Sequence, residues 1–491
     1  MVSCTSTCAS TTPAAGTGFI LRGCDTWANA NFPLTWTWSG TSGATIYVGV
    51  DQTWYNTTNC PSNWNRPIFN AGGTAIQSPE CTGGHKNQFL SISGTTYVTF
   101  DWLELKGLFW NSDQQSACFQ TAGHIQTSTS DNLTFSNLYF HDWTHGTTAG
   151  TTDSSSLIAY VGTSSPYCES CVITNAVIDN TDGDGADCSS AHTSGSMCSG
   201  GGVLNMSLEN SVVTHTVQGF LGPLRTRPST IYITGNTFSY QNLSFGNPSQ
   251  SSPPHPNVIE TTGVNFGSSG CANLVVANNL IYNTLVAEQS QIGNPNECDY
   301  VVNNLYVTSP SNVGANGPEG PQQTGGSNSM YFYNNTVVGW NGCFQSASHG
   351  YIWSGTFDFR NNNCIGATTT TLSGTPTAGT LINSSNSGMS NATATSYGLT
   401  SSEAYQYSPP SIATPLYQAG ANLTSVWPAG VNTSDTAYGC TEQTINTVVQ
   451  AVCPARAVVL RPGIGAWDIG AYEATGAPAP APVVLISEVA H

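Results

Sequence analysis

Between residues 133 and 366 one phrase keeps returning: a few alternating apolar residues, an Asn, then a few more apolar residues. It reads "LTFSNLYFHD" at 133–142, "CVITNAVIDN" at 171–180, "LENSVVTH" at 208–215, "IYITGNTFSY" at 231–240, "LVVANNLIYN" at 274–283, "YVVNNLYVTS" at 300–309, "MYFYNNTVVG" at 330–339 and "FDFRNNNCIG" at 357–366. Alignment on the central Asn picks out Asn137, Asn175, Asn210, Asn236, Asn279, Asn304, Asn335 and Asn362, spaced 25 to 43 residues apart. A floor near 25 with a variable excess means a constant coil carrying loops of different length. Period-two alternation makes each half of the phrase a short strand. Asn tolerates the left-handed backbone of a sharp corner between them, and its amide can bond the equivalent Asn one rung away. A third strand is expected after each loop, at "SLIAYV" (156–161), "GGVLNM" (201–206), "GFLG" (219–222), "NVIET" (257–261) and "LVAE" (285–288). Three strands per turn stacked ~4.8 Å apart describe an all-β chain, a single-stranded parallel β-helix (β-solenoid) whose rungs cannot stand alone.

Bulk composition excludes several roles. The formal net charge of -18 reflects a scarcity of Lys and Arg (9) more than an excess of Asp and Glu (27). Nine cations cannot make a nucleic-acid footprint. No apolar run reaches the ~20 residues of a membrane helix, so no membrane insertion is expected. Aromatic content of 10% and hydrophobic content of 38% supply enough apolar surface to fold despite the low charge. Sixteen cysteines, among them the close pairs Cys4/Cys8, Cys168/Cys171 and Cys188/Cys198 and a Cys440–Cys453 staple, favour disulfides over zinc, since Cys168–Cys171 has no second pair at metal-site spacing. An exported, secreted or cell-surface, monomeric protein is expected. The opening "MVSCTSTCASTTPAAG" lacks a basic start and an apolar core, and is read as an added start from which a targeting segment has been removed.

These repeats resemble the right-handed parallel β-helix superfamily of pectate lyases, polygalacturonases and many bacterial exported proteins. "WDIGAYE" at 467–473 is similar to a closing motif of bacterial β-helix domains. The expected organisation is an N-terminal cap with first rungs over 1–89, a β-helix core with long groove loops over 90–370, last rungs and a C-terminal cap over 371–474, and a Pro/Ala linker with a remnant over 475–491. The resemblance implies a substrate groove along the strands that follow the loops. The long loops after Asn180 and after Tyr240 would wall that groove.

Candidate chemistry gathers there. Three readings compete for "NTDGDGAD" in the first loop: a calcium site built from Asp179, Asp182, Asp184 and Asp187, a catalytic carboxylate at Asp182 or Asp184, or a solvated turn. Its spacing partly matches a calcium loop, with Asn180 at the first position, but Ala191 stands where an EF-hand needs Glu. Glu260 and Glu288 end strands on consecutive rungs; in register, their backbones would lie ~4.8 Å apart, near the ~5–5.5 Å separation of a retaining glycosidase pair. His215 is a candidate acid–base group. Arg225, Arg227 and His255 could grip substrate, and His141, Trp143 and Tyr240 could add proton-transfer groups and aromatic platforms. Each residue also has a structural alternative: salt bridges between loops, rung-end acids or plain packing. The polygalacturonase residue set is absent, and the lysines, Lys86 and Lys106, fall outside the long-loop region, which speaks against a Lys-based lyase centre.

The leading expectation is a polysaccharide-active glycoside hydrolase using two carboxylates, with no cofactor required. A calcium-assisted polysaccharide lyase is the second reading, and a non-catalytic glycan-binding or adhesin protein the third.

Overall fold

The computed structural model describes residues 12–74, 76, 88–110, 124–145, 158–160, 168–180, 203–216, 219–222, 229–239, 258–261, 272–282, 297–307, 318, 329–340, 342–345, 355–366, 369–373, 379–401, 407–409, 414–426 and 432–474. Its strands wind into long parallel sheets. The first sheet runs from Gly18–Gly23 to Thr380–Ser384 and the second from Thr26–Ala28 to Ser387–Met389, each taking one strand per turn in chain order. A third face is carried by Leu34–Trp36, Leu90–Ser93, Ile125–Ser128 and Ile158–Tyr160, and further along by the pairs Phe220–Gly222 with Ile259–Thr261 and Gly342–Gln345 with Thr369–Ser373. The fold is the expected right-handed parallel β-helix, the hand that parallel crossovers take. One expected third strand belongs elsewhere: Val203–Leu204 pairs with Cys168–Glu169 at the edge of the first sheet. No helix among the described residues is long and apolar enough to cross a membrane.

Each turn from the first sheet to the second uses two residues with different tasks. The first is left-handed: Asn137 (φ 53°), Asn175 (53°) and Asn210 (50°), then Gly235 (68°), Asn278 (57°), Asn303 (56°), Asn334 (55°) and Asn361 (61°). The second turns into the coil. Alignment on one central Asn therefore mixes two positions, because Asn137, Asn175 and Asn210 are corners whereas Asn236 through Asn362 are interior. Both positions favour Asn, one for its tolerance of positive φ and the other for its amide. The interior set forms a ladder. Asn304 Nδ2 donates to Asn335 Oδ1 (3.1 Å) and to Val276 O (2.8 Å), while Asn304 Oδ1 accepts from the backbone N–H and Nδ2 of Asn279 (both 3.0 Å). The same pattern links Asn236 to Asn279, Asn335 to Asn362 and Asn362 to Asn386.

Inside the coil the alternating residues stack by type. Phe100 lies over Phe135 with centroids 5.6 Å apart, and Phe332 over Phe359 at 5.3 Å, so neighbouring rungs bury each other's apolar faces. Disulfides tie the described chain at Cys24–Cys60, Cys168–Cys171, Cys343–Cys364 and Cys440–Cys453, including both close pairs expected there.

The C-terminal segment does more than cap the last rungs. After a short helix at Asn391–Ser396 it returns along the outside of the second sheet. Leu416 and Ile469 pack with Val338 and Ile365, and Tyr438 and Tyr472 pack with Leu280 and Leu305. Cys440 hydrogen-bonds to Thr237, and the hairpin Thr441–Ile445/Val448–Val452 reaches Asn65 and Arg66. The "WDIGAYE" residues anchor the return: Trp467 is fully buried, and Arg461 pairs with Glu473 at 2.6 Å beneath it. Gly470 adopts φ +99° with Thr336 Oγ1 only 2.8 Å from where a Cβ would stand.

Candidate functional site

In the second sheet the middle residue of each short strand points inward, as Leu105, Phe140, Ile178 and Val213 do. The flanking residues therefore point outward. On consecutive rungs these outward residues are Glu104 and Lys106, then Tyr139 and His141, then Val177 and Asp179, with Asp179 opposite Thr214 on the next rung. Asp142 and His215 follow their strands at left-handed positions (φ 54° and 53°), which turns both side chains back beside the row. In a chain with so few charges, this face concentrates them.

The contacts are specific. His141 Nε2 lies 3.0 Å from Glu104 Oε1 and its Nδ1 3.1 Å from Asp142 Oδ2, and the ring stacks on Tyr139 at 4.1 Å. Lys106 Nζ is 3.7 Å from Asp142 Oδ2. One rung on, His215 Nδ1 is 2.7 Å from Asp179 Oδ1 and 3.2 Å from Thr214 Oγ1. Glu442 lies on the C-terminal hairpin; burial first, and then the Asp179 charge, push its carboxyl up to about 8. Arg66 is fully buried beside them, over the rings of Trp102 (4.9 Å) and Tyr139 (5.9 Å), and donates to Asn137 O (3.0 Å) and Val449 O. Burial lowers its guanidinium to about 10, against the upward pull of Glu104. Burial likewise raises the Tyr139 hydroxyl, assisted by the charges of Glu442, Asp179, Glu104 and Asp142. The arrangement can hold, pass and store protons on an outward face.

Of the residues expected from the sequence, the structure brings together His141, Asp179 and His215. Trp143 is a correction. It is 2% exposed, sits edge-on to His124 at 5.6 Å in the hydrophobic core, and offers no face to a sugar. The left-handed Asp142 interrupts the alternation and sends the next side chain inward. Asn180 is corrected too: it is buried, and its amide clamps Trp143, accepting from the backbone N–H (3.0 Å) and donating to the carbonyl (3.1 Å). Trp143→Ala is accordingly expected to cost about 4 kcal/mol of stability, as other buried aromatic truncations do, and urea unfolding reads it. Lys106, outside the long loops, stands in the row beside Asp142. For Glu260 the structure describes the backbone, in Ile259–Thr261 on the third face, opposite Leu221. Glu288, Asp182, Asp184, Asp187, Arg225, Arg227, Tyr240 and His255 lie outside the described residues. Among the described residues no group of three or more His, Cys, Asp or Glu is placed to hold a metal. Asp179 is engaged by His215.

Sequence reasoning missed Glu104, Lys106, Arg66 and Glu442. The rarity of Lys could have marked Lys106; nothing local marks Glu442, 263 residues beyond Asp179 (442 − 179).

No family model and no curated protein matches the chain. Among solved structures it is similar to a pectate lyase, Pel9A, at 13% identity and TM-score 0.44, covering 94% of this chain and 88% of that one. It is also similar to a GH136 lacto-N-biosidase from Eubacterium ramulus (10%, TM-score 0.43, 78% and 63% covered). A third is a PL6 family polysaccharide lyase from Pseudopedobacter saltans (9%, TM-score 0.40, 73% and 74% covered). At these identities no residue correspondence transfers, and the row is read on its own chemistry.

Proposed function

We propose that the protein is a secreted polysaccharide-active enzyme, and that it is a glycoside hydrolase working from the row on the second sheet. The observation that carries this reading is the pair of carboxylates on neighbouring rungs, each held by its own histidine: Asp142 by His141 and Asp179 by His215. Tyr139 and Phe140 pair with Val177 and Ile178, so Asp179 falls opposite His141 with Asp142 one residue beyond it, and two carboxylates on adjacent rungs can supply the acid and the nucleophile or base of either glycosidase geometry. One carboxyl protonates the leaving oxygen while the other attacks the sugar. The histidines orient both. A row running from rung to rung suits an extended polymer, and the scarcity of cations along the chain suits a neutral glycan.

A lyase is the second reading, favoured by Lys106 beside His141 and Asp142: a cation next to a base is what removal of a proton adjacent to a uronate carboxylate needs. The sequence-derived pair Glu260 and Glu288 offers the same hydrolytic chemistry on the third face. The test is a panel of neutral and uronate polysaccharides. Reducing ends without near-ultraviolet absorbance are expected. Unsaturated absorbing products would replace the hydrolase reading by the lyase, and binding without cleavage would replace both by a glycan-binding protein.

A further inference from the structure

With Trp143 in the core, the row has no aromatic platform of its own, but one stands on its flank. From Asn137 to Asn361 the left-handed corner between the first and second sheets is Asn or Gly; one rung earlier the same corner is Trp102, at φ 54°. The positions are equivalent, since the Trp102 N–H donates to Ser136 O (3.1 Å) as the Asn137 N–H does to Thr174 O (3.1 Å). Local sterics oppose a bulky side chain in that conformation, and strained positions of this kind gather at ligand sites. We propose that Trp102, with Trp64 against it, is a sugar-stacking platform that grips a neutral polysaccharide beside the carboxylate row. The inference rests on the preceding reading of the row as the place of cleavage and adds where the polymer is held.

The platform is held from every side. Next to Trp102 in the chain, Asp101 Oδ1 accepts from Ser136 Oγ (2.6 Å) and Asn137 Nδ2 (2.8 Å), and its Oδ2 accepts from the Tyr47 hydroxyl (3.0 Å). Trp64 stands at 85° to Trp102 with centroids 5.2 Å apart. On either side of Trp64, Asn63 Nδ2 donates to Asn446 O (2.8 Å) and Asn65 Nδ2 to Thr447 O (2.9 Å). The Arg66 guanidinium lies over the rings of both Trp102 (4.9 Å) and Tyr139 (5.9 Å), and Tyr139 stacks on His141 (4.1 Å). Contact therefore runs unbroken from the platform into the row. Yet neither indole belongs to the core: both are only partly buried, where Trp143 is 2% exposed. Rings fixed in place and left partly open lose little freedom when a ligand stacks on them.

Charge selects the occupant. The face of an indole is negative and takes the C–H side of a sugar ring, leaving the hydroxyls to water and polar neighbours. Around it stand the carboxyls of Asp101, Glu104, Asp142 and Asp179 against the cations Arg66 and Lys106. That balance repels a polyanion and accepts a neutral chain. Lys106, which contacts Asp142, follows Trp102 by four residues on the same rung. At ~3.3 Å per residue that places it about 13 Å across the sheet, so the platform flanks the place of cleavage.

Affinity electrophoresis of the full chain reads the platform, in native gels containing a xylan, a mannan, a galactan or, as the anionic comparison, polygalacturonate. Wild type is expected to be retarded by at least one of the three neutral polymers. Trp102→Asn installs the residue that later corners use, so the coil should accept it, and it is expected to weaken that binding about tenfold or more, as loss of a Trp anchor does. Trp102→Tyr keeps a ring and should stay within about threefold of wild type. Trp64→Ala leaves the corner untouched, is expected to lose about threefold or more, and decides the matter where Trp102→Asn does not fold. Wild-type retardation in both Trp102→Asn and Trp64→Ala overturns the platform. So does a wild type retarded by no neutral polymer, or by polygalacturonate alone. Retardation lost in Trp102→Asn, by a protein that cleaves none of the polymers, supports the platform and removes the hydrolase reading; cleavage with retardation unchanged in the variants does the reverse.

Discussion

Asn304→Ala is expected to destabilise the protein by about 4 kcal/mol, a large fraction of the roughly 5–15 kcal/mol that holds a typical domain folded. The substitution removes one amide but breaks three buried hydrogen bonds: those from the backbone N–H and Nδ2 of Asn279, the latter keeping only its bond to Ile233 O, and the one to the carbonyl of Val276. Asn304 is fully buried, and each unsatisfied buried polar group costs ~1–3 kcal/mol. Asn386→Ala provides the contrast. It stands at the end of the ladder with partial exposure, so water replaces much of what is lost and about 1 kcal/mol is expected. Urea unfolding of both variants checks the difference. Equal costs would mean that the ladder is not a cooperative support of the coil.

Asp179→Asn is the second large effect, on rate rather than stability. An amide can still hydrogen-bond His215, so the local fold should persist. It can neither attack a sugar nor transfer a proton, and a loss of about 10³-fold or more in kcat is expected. Asp142→Asn should cost as much, and the double variant little more, because residues that act as a unit are not additive. His215→Asn, which misorients Asp179 without removing it, is expected to lose about 10- to 100-fold. Full activity in Asp179→Asn would move the chemistry off this row.

The coil was readable because its signals are local. Alternation turns Phe140 and Ile178 inward and leaves Tyr139 and Asp179 outside, and the repeated Asn announces both the corner and the ladder. Reading failed where one residue resets the alternation. Asp142, left-handed, turns Trp143 from an expected platform into core and makes Asn180 its clamp rather than a ligand. It failed again where contact depends on the path of the chain. Glu442 meets Asp179 only because the C-terminal segment runs back along the coil, and Arg66 meets Val449 for the same reason. The sequence between Cys440 and Cys453 carries no signal of that route.

Which carboxylates do the work is decided by assaying Asp179→Asn and Glu260→Gln side by side for reducing-end release on a polysaccharide that the wild type cleaves. The row on the second sheet predicts that Asp179→Asn loses about 10³-fold while Glu260→Gln keeps its rate, both melting as wild type does. The opposite pattern, an inactive Glu260→Gln beside a fully active Asp179→Asn, would contradict it and return the site to the third face.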